Sequence, residues 1–127
     1  MKAYKVFRVE DGRLFSALVR DQACIEYYPG LPSMGQIFTY NGKRIRLPII
    51  VFRDLEAAKR MKKKCEQTYF WASFEIWEVE GKYCHKKVCY GDIDELELGN
   101  YCPDELSFPD GTIFLETCTP IRRVDVS

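Results

Sequence analysis

A strand, a charged helix and an aromatic strand follow one another within residues 47–80, and this order limits the folds open to the chain. The apolar run at residues 47–52 is too short for a helix and is typical of a buried strand. Asp54 follows it as a helix N-cap, because its carboxylate can accept hydrogen bonds from the first backbone N–H groups of a helix. We therefore predict one main helix over residues 54–67 with a strand on either side.

The helix is predicted to bury one narrow face and to expose a basic one. The apolar side chains at helical spacing are Leu55, Ala58, Met61 and Cys65. The lysines at residues 62–64 are predicted in the last turn, where positive charge complements the helix dipole. A solvated outer face explains the basic run, and a contact with RNA or phosphate through Lys59 and Lys63 is the alternative.

Residues 69–80 alternate with the period of a strand. The face predicted to lie in the core beneath the helix comprises Phe70, Ala72, Phe74 and Ile76. The opposite face carries Tyr69, Trp71 and Trp77, which a second layer can cover. If that face stays open, it is a candidate surface for a partner protein, for dimerisation or for base stacking.

The rest of the chain is dominated by short strands and turns. Asp11-Gly12 and Asn41-Gly42 are hairpin signals, because Gly, Asn and Asp tolerate positive φ. The remaining strands are predicted at residues 3–9, 14–19, 24–28, 36–40, 43–47, 83–90 and 112–118, with Pro120 as a break before a short edge strand at 121–126. This pattern predicts a single α+β domain over residues 1–127, with an antiparallel-rich sheet of about seven to nine short strands.

Net charge is zero, but the charges are unevenly distributed. Residues 1–64 hold 14 Lys or Arg against 6 Asp or Glu, and residues 65–127 hold 5 against 13. The two halves can neutralise each other within one sheet, or they can create a basic face that attracts an anion or nucleic acid. No basic groove motif accompanies the asymmetry, so the first interpretation is preferred.

Length and hydropathy favour a soluble protein. No apolar run reaches the roughly 20 residues that cross a bilayer, and the first five residues lack the apolar core of a signal peptide. We therefore expect a cytoplasmic protein with no membrane contact. The sequence has no phosphate-binding glycine loop and no Gly-x-Ser-x-Gly element, so we predict no cofactor and, as a hypothesis, no catalysis.

Six cysteines without a secretory signal require an explanation. The chain has few Asn and Gln and many charged residues, a composition typical of proteins from very hot environments, where intracellular disulfides are common. On this hypothesis at least one disulfide forms among four cysteines in the second half of the chain: Cys84, Cys89, Cys102 and Cys118. Cys24 and Cys65 are predicted to be buried thiols.

One group resembles metal ligands or a catalytic thiol pair. It comprises Cys84, His85, Cys89 and Cys102. Structural zinc sites usually use Cys-x-x-Cys turns, and adjacent residues on a strand point to opposite faces, so neither zinc nor a Cys–His nucleophile is predicted.

Four short segments carry a resemblance to a group of small uncharacterised phage and viral proteins. They are Tyr-Lys-Val-Phe at 4–7, Tyr-Pro-Gly at 28–30, the strand-to-helix turn at 50–58 and Glu-Val-Glu-Gly at 78–81. In that group an N-terminal hairpin precedes a Phe-x-x-Leu-Glu-x-Ala turn. The resemblance covers residues 1–81 and implies a shared fold and a viral source, hence the host cytoplasm, without a known activity.

The same strand, helix and strand also resemble the second half of an ADP-ribosyltransferase core. Those enzymes hold a nicotinamide dinucleotide with an Arg or His on the first strand, and Arg8 matches that position. The chain departs from the pattern at residues 49–53, which contain neither Ser-Thr-Ser nor Tyr, and no motif places a catalytic Glu. This resemblance implies a degenerate active site or an NAD-binding relative.

The sequence therefore predicts a small binding domain, with a protein partner or self-association as its main interaction and nucleic acid as a further one. An enzyme related to the ADP-ribosyltransferases is the alternative. A homodimer is expected, because the strand at residue 69 and the short C-terminal strand leave sheet edges open for pairing.

Overall fold

The computed structural model describes residues 2–17, 24–40, 43–46, 48–84 and 110–124. Within these ranges the predicted α+β class, with one main helix and an antiparallel sheet, is confirmed. The elements in chain order are β1 (Lys2–Glu10), β2 (Arg13–Ser16), β3 (Glu26–Tyr27), β4 (Ser33–Met34), β5 (Ile37–Tyr40), β6 (Lys43–Arg46), β7 (Ile49–Phe52), α1 (Leu55–Thr68), β8 (Ser73–Glu80), β9 (Thr112–Leu115) and β10 (Thr117–Arg123).

The strands that flank both predicted turns pair with each other. Asp11 and Gly12 have φ of 53° and 75°, the left-handed pair that a two-residue turn between twisted strands requires. This turn brings β2 antiparallel to the second half of β1. β5 and β6, on either side of the second predicted turn, form a separate two-stranded sheet.

The strand pairings of the main sheet form a closed circuit. β8 pairs with β1, and the chain just beyond β8 joins β9 through a bridge between Tyr83 and Leu115. β9 pairs with β7, and β7 returns to β1 at Tyr4 and Phe52. The circuit gives the sheet an enclosed inner side, to which β1, β7, β8, β9 and β10 all contribute.

The inner side is filled mainly by apolar side chains. Its buried members are Ala3, Phe7, Leu14, Tyr27, Ile49, Val51, Val79, Ile113, Leu115 and Cys118. The alternation of β1 decides which residues enter it, because successive side chains of a strand point to opposite faces. Lys5 shares the face of Ala3 and Phe7 and is therefore carried into this interior.

Helix α1 covers the outer side of β1, β7 and β8. Asp54 caps it, with Oδ1 accepting a hydrogen bond of 2.8 Å from the backbone N–H of Ala57. Ala57, Ala58 and Cys65 are buried against the sheet, so the predicted burial of the Cys65 thiol is confirmed. The helix extends to Thr68, however, and no basic residue lies in its last turn.

The prediction of a strand from residue 69 is wrong at its beginning. β8 starts at Ser73, and residues 69–72 form a turn in which the N–H of Ala72 donates to the carbonyl of Tyr69 at 3.0 Å. The chain must reverse direction between α1 and β8, so these residues cannot extend the strand. Phe74 and Ile76 are buried as predicted, whereas Phe70 lies on the surface.

The neighbours of β8 also differ from the prediction. β8 lies between β1 and β10, which pair with its two edges. Gly81 does not turn the chain back along β8, because Lys82 and Cys84 continue beside β9, bonded to the backbone of Glu116 and Phe114. Residues 85–90 of the predicted return strand lie outside the described residues. One of the two sheet edges invoked for a homodimer is therefore paired within the chain.

Pro120 is predicted to end a strand, but β10 continues through it. The strand break falls instead at Glu116, between β9 and β10. Pro120 sits at an irregularity in the pairing with β8, where a residue without an N–H can be accommodated. Its carbonyl accepts a hydrogen bond of 2.8 Å from the N–H of Gly30.

A buried carboxylate ties three strands together. Glu78 on β8 lies 2.6 Å from Lys2 Nζ on β1 and 3.1 Å from Arg122 Nε on β10. The hydrogen bond from Lys2, assisted by Arg122, holds the pKa of the Glu78 carboxyl below its ordinary value. These contacts are internal and leave Glu78 engaged in the sheet.

Candidate functional site

Three consecutive aromatic residues form the most exposed apolar feature among the described residues. We call Tyr69, Phe70 and Trp71 the aromatic corner. Phe70 is 83% exposed and Trp71 is 71% exposed. The Trp71 ring stands nearly perpendicular to both neighbours, with its centroid 5.7 Å from that of Tyr69 and 5.3 Å from that of Phe70.

The corner is attached to the core by Tyr69. The N–H of Tyr69 donates to the carbonyl of Cys65 at 2.8 Å, which extends the hydrogen bonding of the helix by one residue. Its ring is half-buried and lies 6.5 Å from that of Phe74 in the core beneath α1. The edge-to-face contacts hold the exposed rings in a defined arrangement against this anchor.

Exposed cations precede the corner along α1. The basic face of α1 comprises Lys59, Arg60, Lys63 and Lys64. Lys59 and Lys63 are four residues apart and so lie on the same side of the helix. About 9 Å of helix rise separates Lys63 from Tyr69, so a partner that covers the corner can also reach these cations.

The basic face is interrupted by acidic side chains. Glu56 and Glu66 are exposed on the same helix, and Lys59 Nζ lies 3.6 Å from a carboxylate oxygen of Glu56. Such exposed pairs contribute little to stability. They make the surface of the helix mixed in charge, with cations in excess.

Trp77 does not join the aromatic corner. The sequence pattern places it on one strand face with Tyr69 and Trp71, but it lies within β8, half-buried against the interior of the sheet. Its indole N–H donates to a carboxylate oxygen of Glu75 at 3.0 Å, and the other oxygen of Glu75 lies 3.2 Å from Arg123. Trp77 is therefore a packing residue.

Arg8 is held by contacts within the chain. Its guanidinium donates to Glu10 at 2.6 Å, lies 3.9 Å from the Cys24 sulfur and stacks 4.9 Å above the centre of the Phe15 ring. The side chain is partly buried. A dinucleotide phosphate would have to displace the carboxylate of Glu10 to reach this guanidinium.

Lys5 is the most unusual titratable group of the described interior. It is only 4% exposed, and its ammonium donates to the carbonyl of Ile50 on β7 at 2.8 Å. The rings of Phe7 and Tyr27 lie 5.7 and 5.5 Å from the nitrogen. Burial lowers the pKa of Lys5 from its ordinary value of 10.5 to about 8.

These contacts give Lys5 a structural role. β1 pairs with β7 at Tyr4 and Phe52, and the Lys5 side chain links the two strands beyond that point by bonding to the Ile50 carbonyl. Two ring faces surround the charge. An enclosed ammonium with internal partners is poorly accessible to a substrate.

The described cysteines contain no disulfide. Cys84 and Cys118 are present as thiols, so the predicted disulfide cannot join these two, and Cys89 and Cys102 lie outside the described residues. Cys118 is fully buried in the sheet interior, and burial raises the pKa of its thiol to about 11. Cys24, predicted to be buried, is a half-buried thiol beside Arg8.

Metal coordination is not indicated by the part of the chain that the structure describes. No group of three or more His, Cys, Asp or Glu side chains in those ranges is arranged to hold a metal ion. His85 of the Cys–His cluster falls outside them.

The sequence pattern misses two features of the site. It assigns Phe70 to the core, although three consecutive aromatic residues cannot all follow the two-residue period of a half-buried strand. It treats Lys5 only as a strand residue, because a single lysine in an alternating pattern normally marks the solvent face. The position of Lys5 depends on β7, which is distant in sequence, and that of Phe70 depends on the turn between α1 and β8.

Comparisons with known proteins found no relative of this chain. The chain matches no protein-family model, no curated protein and no solved structure. Within the described residues, no helix has the length and apolar character needed to cross a membrane.

Proposed function

We propose that this chain is a small binding domain without catalytic activity, and that the aromatic corner is the surface on which a partner protein docks. The observation that carries the proposal is the exposure of Phe70 and Trp71 in a fixed arrangement beside the core. Aromatic residues are enriched at the centres of protein interfaces, since they bury a large apolar area with little loss of side-chain freedom.

The contacts of the other candidate residues support a binding role over an enzymatic one. Arg8, the residue that matches an ADP-ribosyltransferase element, is engaged by Glu10, Cys24 and Phe15. Lys5 is enclosed by the sheet and bonded to Ile50.

Binding of NAD distinguishes the proposal from the enzyme alternative. We expect no shift in the thermal unfolding midpoint with NAD and no heat of binding in calorimetry. A ligand at about 100 times its dissociation constant adds about 2.7 kcal/mol to the free energy of unfolding. An NAD-dependent stabilisation of that size, lost in Arg8→Gln, would establish the enzyme alternative instead.

The solvent exposure of Trp71, measured in solution, tests whether the aromatic corner is open. The chain has two tryptophans, so Trp77→Phe leaves Trp71 as the only indole. We expect acrylamide to quench its fluorescence efficiently at all protein concentrations. Quenching that weakens as concentration rises, together with a dimer mass in light scattering, would mean that a second copy covers the corner and that self-association is its function.

A further inference from the structure

We infer that the partner of the aromatic corner is an acidic protein segment with an apolar side chain among its Asp and Glu residues. This inference rests on the proposed function, and it adds the chemistry of the ligand. The corner supplies the apolar contact, and the basic face of α1 supplies the cations that face the flanking carboxylates. Charge complementarity of this kind favours encounter and selects against wrong partners.

The ring geometry favours a side chain over a stack of bases. Trp71 is inclined at 78° to Tyr69 and at 83° to Phe70, so the rings do not present parallel faces. Successive bases of a single strand stack best on faces that follow one another in parallel. Perpendicular rings instead form an apolar angle that suits an aliphatic or aromatic side chain.

The charge pattern of α1 also favours a peptide over a nucleic acid. Glu56 and Glu66 are exposed among the cations of α1, and Glu56 pairs with Lys59. A phosphate backbone repeats its charge regularly and would meet these carboxylates along with the lysines. A peptide can place its own carboxylates opposite Lys63 and Lys64 while avoiding Glu66.

Selection from a random peptide library displayed on phage tests this inference directly. The bait is the full chain, and the matched bait is Phe70→Ala/Trp71→Ala, which keeps the core residue Phe74. We expect enriched peptides in which Asp or Glu flank one or two apolar residues. Their affinity for the double variant should be at least roughly tenfold weaker, the usual loss on truncating an interface centre.

Charge variants separate the two components of the surface. Lys59→Gln/Lys63→Gln should weaken binding of an enriched peptide roughly fivefold and reduce its salt dependence. The matched control is Arg44→Gln/Arg46→Gln, which removes the same charge from two exposed positions of β6 in the separate sheet. Equal losses of affinity in the two double variants would show that only net charge matters, and would overturn the role of α1.

The remaining outcomes distinguish failure of the inference from failure of the proposed function. Enriched peptides that need the corner but carry no acidic residues overturn the ligand chemistry and leave the docking surface standing. Peptides that bind the double variant equally well overturn both. A labelled oligothymidylate of about 20 nucleotides that binds more tightly than any peptide, and requires both the corner and Lys63, would assign the surface to nucleic acid. Absence of any enriched peptide also rejects the inference.

Discussion

Lys5 and Trp71 both occupy positions that are unusual for their residue types, one in the sheet interior and the other on the surface. The ammonium of Lys5 has its partners within the chain, the Ile50 carbonyl and two aromatic rings. Trp71 contacts Tyr69 and Phe70, yet most of its surface remains open to water. The burial of Lys5 is explained by these contacts within the fold, whereas the exposure of Trp71 is the observation on which the proposed docking surface rests.

Lys5 belongs to the packed sheet interior, whereas Trp71 belongs to a corner whose surface is open to water. Interior side chains are fixed by neighbours on several strands, so any change there is felt in stability. The corner is fixed through Tyr69, so its outer rings can change with little effect on folding. Three measurements on the uncomplexed chain can break or sharpen this distinction.

The largest effect is expected from Gly81→Ala. The new β-carbon would lie 1.8 Å from the Thr117 carbonyl oxygen, which belongs to the backbone of β10 and cannot yield without separating strands. We expect a loss on the order of 5 kcal/mol or outright failure to fold, measured by urea unfolding. The control is Gly12→Asn, where the surroundings are open and Asn tolerates the positive φ. A Gly81→Ala protein as stable as this control would mean that β8 and β10 are not closely packed.

The contrast between core and corner is tested most directly by replacing Phe with Ala at two positions that are four residues apart. Phe74→Ala removes a buried ring beneath α1 and should cost about 3–5 kcal/mol in free energy of unfolding. Phe70→Ala removes an exposed ring and should change it by less than about 0.5 kcal/mol. Both values come from urea unfolding followed by far-UV circular dichroism. Similar losses at the two positions would show that the corner is part of the core.

The pH dependence of stability tests the buried charge. The pKa of Lys5 is about 8 when folded and 10.5 ordinarily, so the unfolded chain binds more protons between these values. The free energy of unfolding should therefore rise over pH 8 to 10.5, by on the order of 3 kcal/mol, and Lys5→Met should lack this rise.

The titration of the Cys118 thiol also changes the free energy of unfolding in this pH range, so Cys118 is replaced in both chains. Its pKa is raised from 9.0 to about 11, so the folded state binds more protons between these values and stability falls there with pH. Cys118→Ala serves as the common background, and the chain that keeps Lys5 is compared with the one that also carries Lys5→Met. Parallel pH profiles in the two chains would contradict the burial of a titrating ammonium.

Much of the architecture was predictable from local signals. The N-cap at Asp54, the turn at Asp11 and Gly12, and the alternation of β1 each depend on a few neighbouring residues. Part of the candidate site was predictable too, because Tyr69 and Trp71 stand out as aromatic residues beside a basic helix. The exposure of Phe70 was not, since a two-residue period assigns it to the same face as Phe74.

The sequence by itself determined the helix with its cap at Asp54, the turn at Asp11 and Gly12, and the residues of β1 that share a face. These follow from backbone geometry and capping, which act over a few residues. Only the tertiary structure decided that β10 pairs with β8, that Lys5 reaches Ile50, and that the chain turns at Tyr69 before β8 begins. The first two outcomes depend on contacts between distant residues, 45 positions apart in the case of Lys5 and Ile50, whose free energy arises only when the closed sheet is assembled.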